Sequence, residues 1–123
     1  MENEIDIAAG VTSLETFDGI DIRAGRVVSC EPFPEARKPA YKLTIDFGPL
    51  GLKRSSAQLT QIYSPEELIG SLVIAVVNFP TRRIAGFQSE VLVLGLPGEG
   101  LARRGAVVLV RPDRDVEPGA RLF

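Results

Sequence analysis

Between Tyr41 and Phe47 the chain alternates apolar and polar residues without a break, Tyr-Lys-Leu-Thr-Ile-Asp-Phe, and a Gly48-Pro49-Leu50-Gly51 turn follows at once. Only an extended strand puts every second side chain on one face, so this run reads as a half-buried β-strand. The turn predicts that the next run, Leu52–Leu59, pairs back on it as a hairpin. A strand-and-turn rhythm continues on both sides. Upstream, Ile20, Ile22, Ala24, Val28 and Cys30 mark a first strand, with Gly25 expected to absorb a bend or bulge. Downstream, Val73–Phe79, Gln88–Leu94 and Ala106–Arg111 read as three further strands, with prolines at 80, 97 and 112 punctuating their ends.

Two short helical signals interrupt the strands. Thr12-Ser13-Leu14-Glu15 matches a capping box that starts a turn over about residues 12–17, with Leu14 and Phe17 on one face. Ser64-Pro65-Glu66-Glu67 is a second capping box, with proline at the first helical position and acids at the positive end of the helix dipole. Gly70 stops that helix. Three strands, a short helix and two or more strands predict an all-β domain. The expected architecture is the oligonucleotide/oligosaccharide-binding (OB) fold, a five-stranded Greek-key barrel with short helices and extended N- and C-terminal elements. A five- or six-stranded barrel without that helix placement is the alternative. Residues 1–11 are expected to form a flexible acidic leader and residues 12–123 the barrel domain.

Composition narrows the chemistry. With 45% hydrophobic residues in 123, the chain can bury a core. Histidine is absent and Cys30 is the single cysteine, which excludes an internal disulfide, Cys/His zinc sites and any relay through imidazole. Nor does a phosphate-cradling glycine motif occur. A Ser-Lys pair at Lys53 and Ser55 shares a strand face, as any alternating polar face allows. The expectation is a protein that is not an enzyme, with no cofactor and no metal. The longest apolar runs are too short to span a bilayer, and with the lone thiol this predicts a cytoplasmic protein without membrane insertion.

The formal charge of −2 conceals a division. Residues 1–21 carry six acids and no base, so residues 22–123 hold 14 bases against ten acids, a net +4. In the expected barrel, ligands favour the face of strands two and three and the loops at about 31–40 and 78–86. Arg37, Lys38, Lys42, Lys53, Arg54, Arg82 and Arg83 fall in that region, half of all the bases in the chain. Guanidinium pairs such as Arg82-Arg83 form bidentate bonds to phosphate. Asn78 can read a base edge or cap the turn into Pro80, Ser89 can donate to a phosphate, and Glu90 can orient an arginine. Phe33, Phe79 and Phe87 flank the loops and can stack on bases or serve the core. With no tryptophan and two tyrosines, a long stacking platform is not expected, and folded RNA is a better ligand than a captured single strand.

These residues carry a family resemblance. The run Phe33–Gly48, the Ser55-Ser-Ala-Gln58 segment, Leu68-Ile-Gly70 and above all Asn78-Phe-Pro-Thr-Arg-Arg-Ile-Ala-Gly-Phe-Gln-Ser-Glu-Val-Leu-Val-Leu-Gly95 resemble the CsaA proteins. These form a standalone branch of the tRNA-binding domain family, whose other members are appended to some aminoacyl-tRNA synthetases. The resemblance implies an OB barrel acting as a homodimer, tRNA bound by its folded shape, and a chaperone role in protein export. It marks Asn78, Arg82, Arg83 and Ser89 as a signature loop, with Lys42 and Lys53 as flanking bases. The wider family reads Ser-x-Gly-Met where this chain has Ser89-Glu90-Val91-Leu92, as in the CsaA branch. Two functions follow as expectations: tRNA binding through the basic loops, or capture of unfolded or preprotein peptide segments without a physiological RNA ligand. Peptide contact is expected at apolar surface near Phe33 and Phe87.

Overall fold

The computed structural model describes residues 10–99 and 105–123. In chain order it contains α1 (Leu14–Asp18), β1 (Ile22–Pro32), β2 (Tyr41–Asp46), a 3-10 turn (Gly48–Leu50) and β3 (Leu52–Ala57). Then follow α2 (Pro65–Leu68), β4 (Leu72–Val76), β5 (Arg82–Ile84), β6 (Phe87–Ser89), β7 (Leu92–Val93), β8 (Gly95–Pro97) and β9 (Val107–Leu109). One antiparallel sheet runs β3-β2-β1-β4-β7, and α2 lies in sequence between its third and fourth strands. This is the expected nearly closed five-stranded barrel. The leader falls largely outside the described residues.

The alternation in β2 becomes the centre of the core. Leu43, Ile45 and Phe47 are fully buried and pack with Val27, Leu68, Val73 and Val91. β1 serves two neighbours, pairing with β4 from Ile22 to Arg26 and with β2 from Arg26 to Pro32. The edge that β2 leaves open is taken by the C-terminal segment. There Ala24 N–H donates to the Ala120 carbonyl at 2.9 Å, and Leu122 N–H to that of Ile22 at 2.8 Å.

The bulge in β1 is not at Gly25. The register slips between Val27 and Ser29, so Val27 is buried at 1% exposure while Val28, next to it, is 45% exposed. Gly25 is required for a different reason. A Cβ there would lie 2.5 Å from Ile45 Cγ2 and 2.7 Å from Phe47 Cε1, so β2 can cross this close to β1 only over a glycine.

Other boundaries differ from expectation for equally local reasons. Ser13, not Thr12, caps α1, its Oγ accepting from the Thr16 backbone at 3.1 Å. The second capping box forms in full: Ser64 N–H donates to Glu67 Oε1 at 2.8 Å, and Glu67 N–H to Ser64 Oγ at 3.2 Å. The expected strand Gln88–Leu94 is two strands, because Ser89 and Glu90 turn aside to bond β3. The expected loop at 78–86 contains β5. The run Ala106–Arg111 shortens to β9, which among the described residues pairs with β8 in a separate sheet.

Candidate nucleic-acid interface

The barrel closes where β3 meets the segment Ser89–Val91, and it does so largely through side chains. Ser56 N–H donates to Ser89 Oγ at 3.0 Å, and Ser55 Oγ donates to the Val91 carbonyl at 3.0 Å. Arg54 and Glu90 exchange bonds: Arg54 N–H donates to Glu90 Oε1 at 2.9 Å, and Glu90 N–H to the Arg54 carbonyl at 2.8 Å. An edge strand whose polar groups would otherwise be orphaned is thereby satisfied. The seam also fixes the β5–β6 hairpin beside β3. Glu90, expected to orient an arginine, bonds the backbone of Arg54.

The hairpin turns at Ala85-Gly86, where both residues have positive φ, 47° and 83°. That is the two-residue turn whose twist matches paired strands, with alanine holding the less comfortable position. The hairpin sets Arg82 opposite Ser89 and Arg83 opposite Gln88, and both arginines are exposed.

A small second core fastens the 33–40 loop to this hairpin. The rings of Phe33 and Phe87 meet with centroids 5.4 Å apart and planes at 60°, packed with Ala40, Ala36 and Ile84. The two rings are only 4% and 7% exposed, so the apolar surface expected around them is buried. Tertiary packing has turned two candidate contact residues into the joint between the two loops.

The outer side of that joint carries cations. Lys42 Nζ lies 5.3 Å from the Phe33 ring centre and 5.9 Å from that of Phe87, and the Arg54 guanidinium lies 4.4 Å from Phe87. Lys42 faces Ser56 and Thr44 faces Arg54 across β2 and β3, which puts both cations on the same side of the sheet. Lys53 pairs with Ile45 and therefore belongs to the opposite face. Between the loop and the hairpin opens a cleft of about 940 Å³, whose lining includes Arg37, Lys38, Gln58, Arg82, Arg83 and one acid, Glu35.

Six of the seven expected bases are thus gathered around the loop, hairpin and outer face, and Lys53 is set apart. Among the described residues, ion pairs are found only at Asp21, with Arg23 Nε at 2.6 Å and Arg121 Nε at 3.5 Å. The hydrogen bond from Arg23 lowers the Asp21 pKa, against an opposing effect of burial, and the charges of Arg23 and Arg121 lower it further. Among the described residues, the interface cations carry no such carboxylate partner. They present their charge outward.

Asn78 and Ser89 have structural partners. Asn78 Oδ1 accepts from Asp21 N–H and its Nδ2 donates to the Gly19 carbonyl, both at 2.9 Å, tying the end of β4 to the start of β1. Ser89 is 4% exposed and holds the seam. Gln58 was not among the expected site residues, and Arg82 and Arg83, expected in a loop, stand on strand β5; the Ala-Gly pair between Arg-Arg-Ile and Phe-Gln-Ser is the signal that marks the hairpin.

Burial, then the nearby Glu66 and Glu31, push the Cys30 thiol up to about 11, so it stays protonated and unreactive at neutral pH. Among the described residues, no group of His, Cys, Asp or Glu could hold a metal ion, and no helix is long and apolar enough to cross a membrane.

A family described as "Putative tRNA binding domain" matches residues 22–121. The crystal structure of the chaperone CsaA from Bacillus anthracis str. Ames is similar at 49% identity and a TM-score of 0.83, covering 93% of this chain and 100% of that one. The CsaA chaperone from Picrophilus torridus matches at 46% identity and a TM-score of 0.83, covering 92% of this chain and 100% of that one. Methionine–tRNA ligase from Archaeoglobus fulgidus is 34% identical over 110 residues, 89% of this chain but only 16% of the ligase.

Proposed function

The chain belongs to the tRNA-binding domain family, in its CsaA branch, and we propose that it is a non-catalytic protein that grips folded tRNA through its basic cleft. One observation carries the reading: Arg37 and Lys38 line the cleft with Arg82 and Arg83, and none of the four has an ion-pair partner among the described residues. Cations held outward, without carboxylates to satisfy them, favour a polyanion. Arginine pairs give bidentate contacts to phosphate, and the turn at Ala85-Gly86 limits the entropy lost when the hairpin docks. Phe33 and Phe87 are buried, so phosphates and overall shape supply the recognition rather than a row of stacked bases. Lys42 and Arg54 extend the same surface across the barrel.

The neighbours described as CsaA chaperones support a second reading, a peptide-binding export chaperone. Peptide contact at Phe33 and Phe87 would require the hairpin to lift from the 33–40 loop, because their rings cover each other. A cytoplasmic homodimer accompanies either reading. Leu14, Val108, Leu122 and Phe123 are exposed apolar residues outside the five-stranded barrel, and such surplus suits an isologous interface. Light scattering at micromolar concentration gives twice the chain mass if the dimer forms.

The direct test of the cleft replaces Arg82→Ala together with Arg83→Ala. Binding of bulk tRNA, followed by fluorescence anisotropy at low salt, weakens by about 2–5 kcal/mol if two charge-assisted contacts are lost. Unchanged affinity removes the hairpin from the site.

A further inference from the structure

Beside the basic cleft, on the other flank of Arg82, lies a smaller recess of about 150 Å³ lined mainly by Phe79, Pro80, Arg82, Glu90 and Leu92. Phe79 is 46% exposed and Leu92 42%, although Phe79 follows β4, whose five residues are all buried, and Leu92 follows the buried Val91. Isolated exposed apolar residues are ordinary on a protein surface, but these converge on one recess. Pro80 fixes the backbone just after Phe79, so the ring is presented from a stiff segment. Arg82 lines both the recess and the large cleft, which makes the two neighbours across one side chain.

We infer that this recess receives one unstacked base of a bound RNA, with that nucleotide's phosphate held on Arg82. The inference rests on the RNA-binding reading above and adds a base-contact site to it. Three features fit this occupant together. The Phe79 ring offers a π-face to a base of any sequence. Arg82 supplies the charge for the adjoining phosphate. The Glu90 carboxylate, held in place by accepting the Arg54 backbone N–H, is an acceptor suited to the amino or imino donors of a base. An apolar peptide side chain would use Phe79 and Leu92 but leave the cation and the carboxylate unmatched. Phe79 is therefore the aromatic residue that contacts ligand, whereas Phe33 and Phe87 are the ones that hold the surface together.

The chain contains no tryptophan, so Phe79→Trp introduces a single reporter. Titration of the full-length variant with bulk tRNA should quench its indole emission as the base stacks. Phe79→Ala should weaken tRNA binding roughly 5- to 150-fold, the fold-change expected for one base–aromatic stack. Phe79→Leu, which keeps the apolar bulk, should weaken it comparably, while Phe79→Tyr restores it. The salt dependence should stay the same in all four, because no phosphate contact is removed. If wild type binds tRNA and Phe79→Ala binds equally well, or the indole signal does not move, the inference is wrong while the RNA reading stands. Emission that shifts with an unfolded polypeptide but not with tRNA overturns it in favour of a peptide site. If wild type itself does not bind tRNA, both fall together.

Discussion

Ser89 Oγ accepts a hydrogen bond from the Ser56 backbone N–H at 3.0 Å, and the hydroxyl is buried at the seam that closes the barrel. A residue at the heart of the family-like signature is thus committed to structure. Ser89→Ala should lower stability by about 1–3 kcal/mol, because the Ser56 N–H loses its partner in a buried place. Urea unfolding reads that loss. Under conditions where the variant remains folded, tRNA affinity should stay close to wild type. The opposite pattern, unchanged stability with weakened binding, would make Ser89 an RNA contact.

Phe87 joins the hairpin to the 33–40 loop and sits beneath Lys42 and Arg54. Phe87→Ala should cost about 3–5 kcal/mol, the usual range for a large buried aromatic, and thermal melting should show it. Phe33→Ala should behave alike. Peptide capture lost at full stability in either variant would instead show an accessible apolar patch.

Lys42 and Lys53 lie in adjacent strands but on opposite faces, since Lys42 faces Ser56 and Lys53 faces Ile45. Lys42→Ala should weaken tRNA binding by about 1.5–3 kcal/mol at low salt, as for one charge-assisted contact. Lys53→Ala should leave it nearly unchanged. Equal losses would mean that RNA reaches around the barrel rim, and equal indifference would confine the interface to the cleft.

The Asp21 carboxyl titrates below its ordinary value of 3.8, chiefly through its bond from Arg23. A carboxylate whose pKa is lower in the folded state stabilises the fold fully above its unfolded pKa, and this contribution disappears as pH falls through the folded value. Wild type should therefore lose stability as pH falls below about 4 more steeply than Asp21→Asn, measured by urea unfolding at each pH. Parallel pH profiles would show that the Arg23 pair contributes nothing to folding.

What the sequence disclosed, and what it hid, follows the range of the interactions involved. The β2 strand and the Ser64-Pro65-Glu67 helix start were legible because period and cap chemistry are written in neighbouring residues. The β1 bulge was not, because Val27 and Val28 are identical residues and nothing local says which turns inward. Gly25 was singled out for the wrong reason: its role is set by Ile45 and Phe47, some twenty residues away. The gathering of Arg37, Lys38, Arg82 and Arg83 was legible from loop positions in the expected barrel. The burial of Phe33 by Phe87 was not, since it joins segments more than fifty residues apart. The displacement of Lys53 turns on the exact register of a local hairpin, which the turn alone does not fix.

The central claim is that outward-held cations grip RNA phosphates, and the salt dependence of tRNA affinity tests it most directly. Each phosphate neutralised contributes about −0.7 to −0.9 to the slope of log affinity against log salt. A surface using four to six cations predicts a slope of roughly −3 to −5, falling by about 1.4 to 1.8 in magnitude for Arg82→Ala with Arg83→Ala. A slope near zero, or one that the double substitution does not change, would contradict the account.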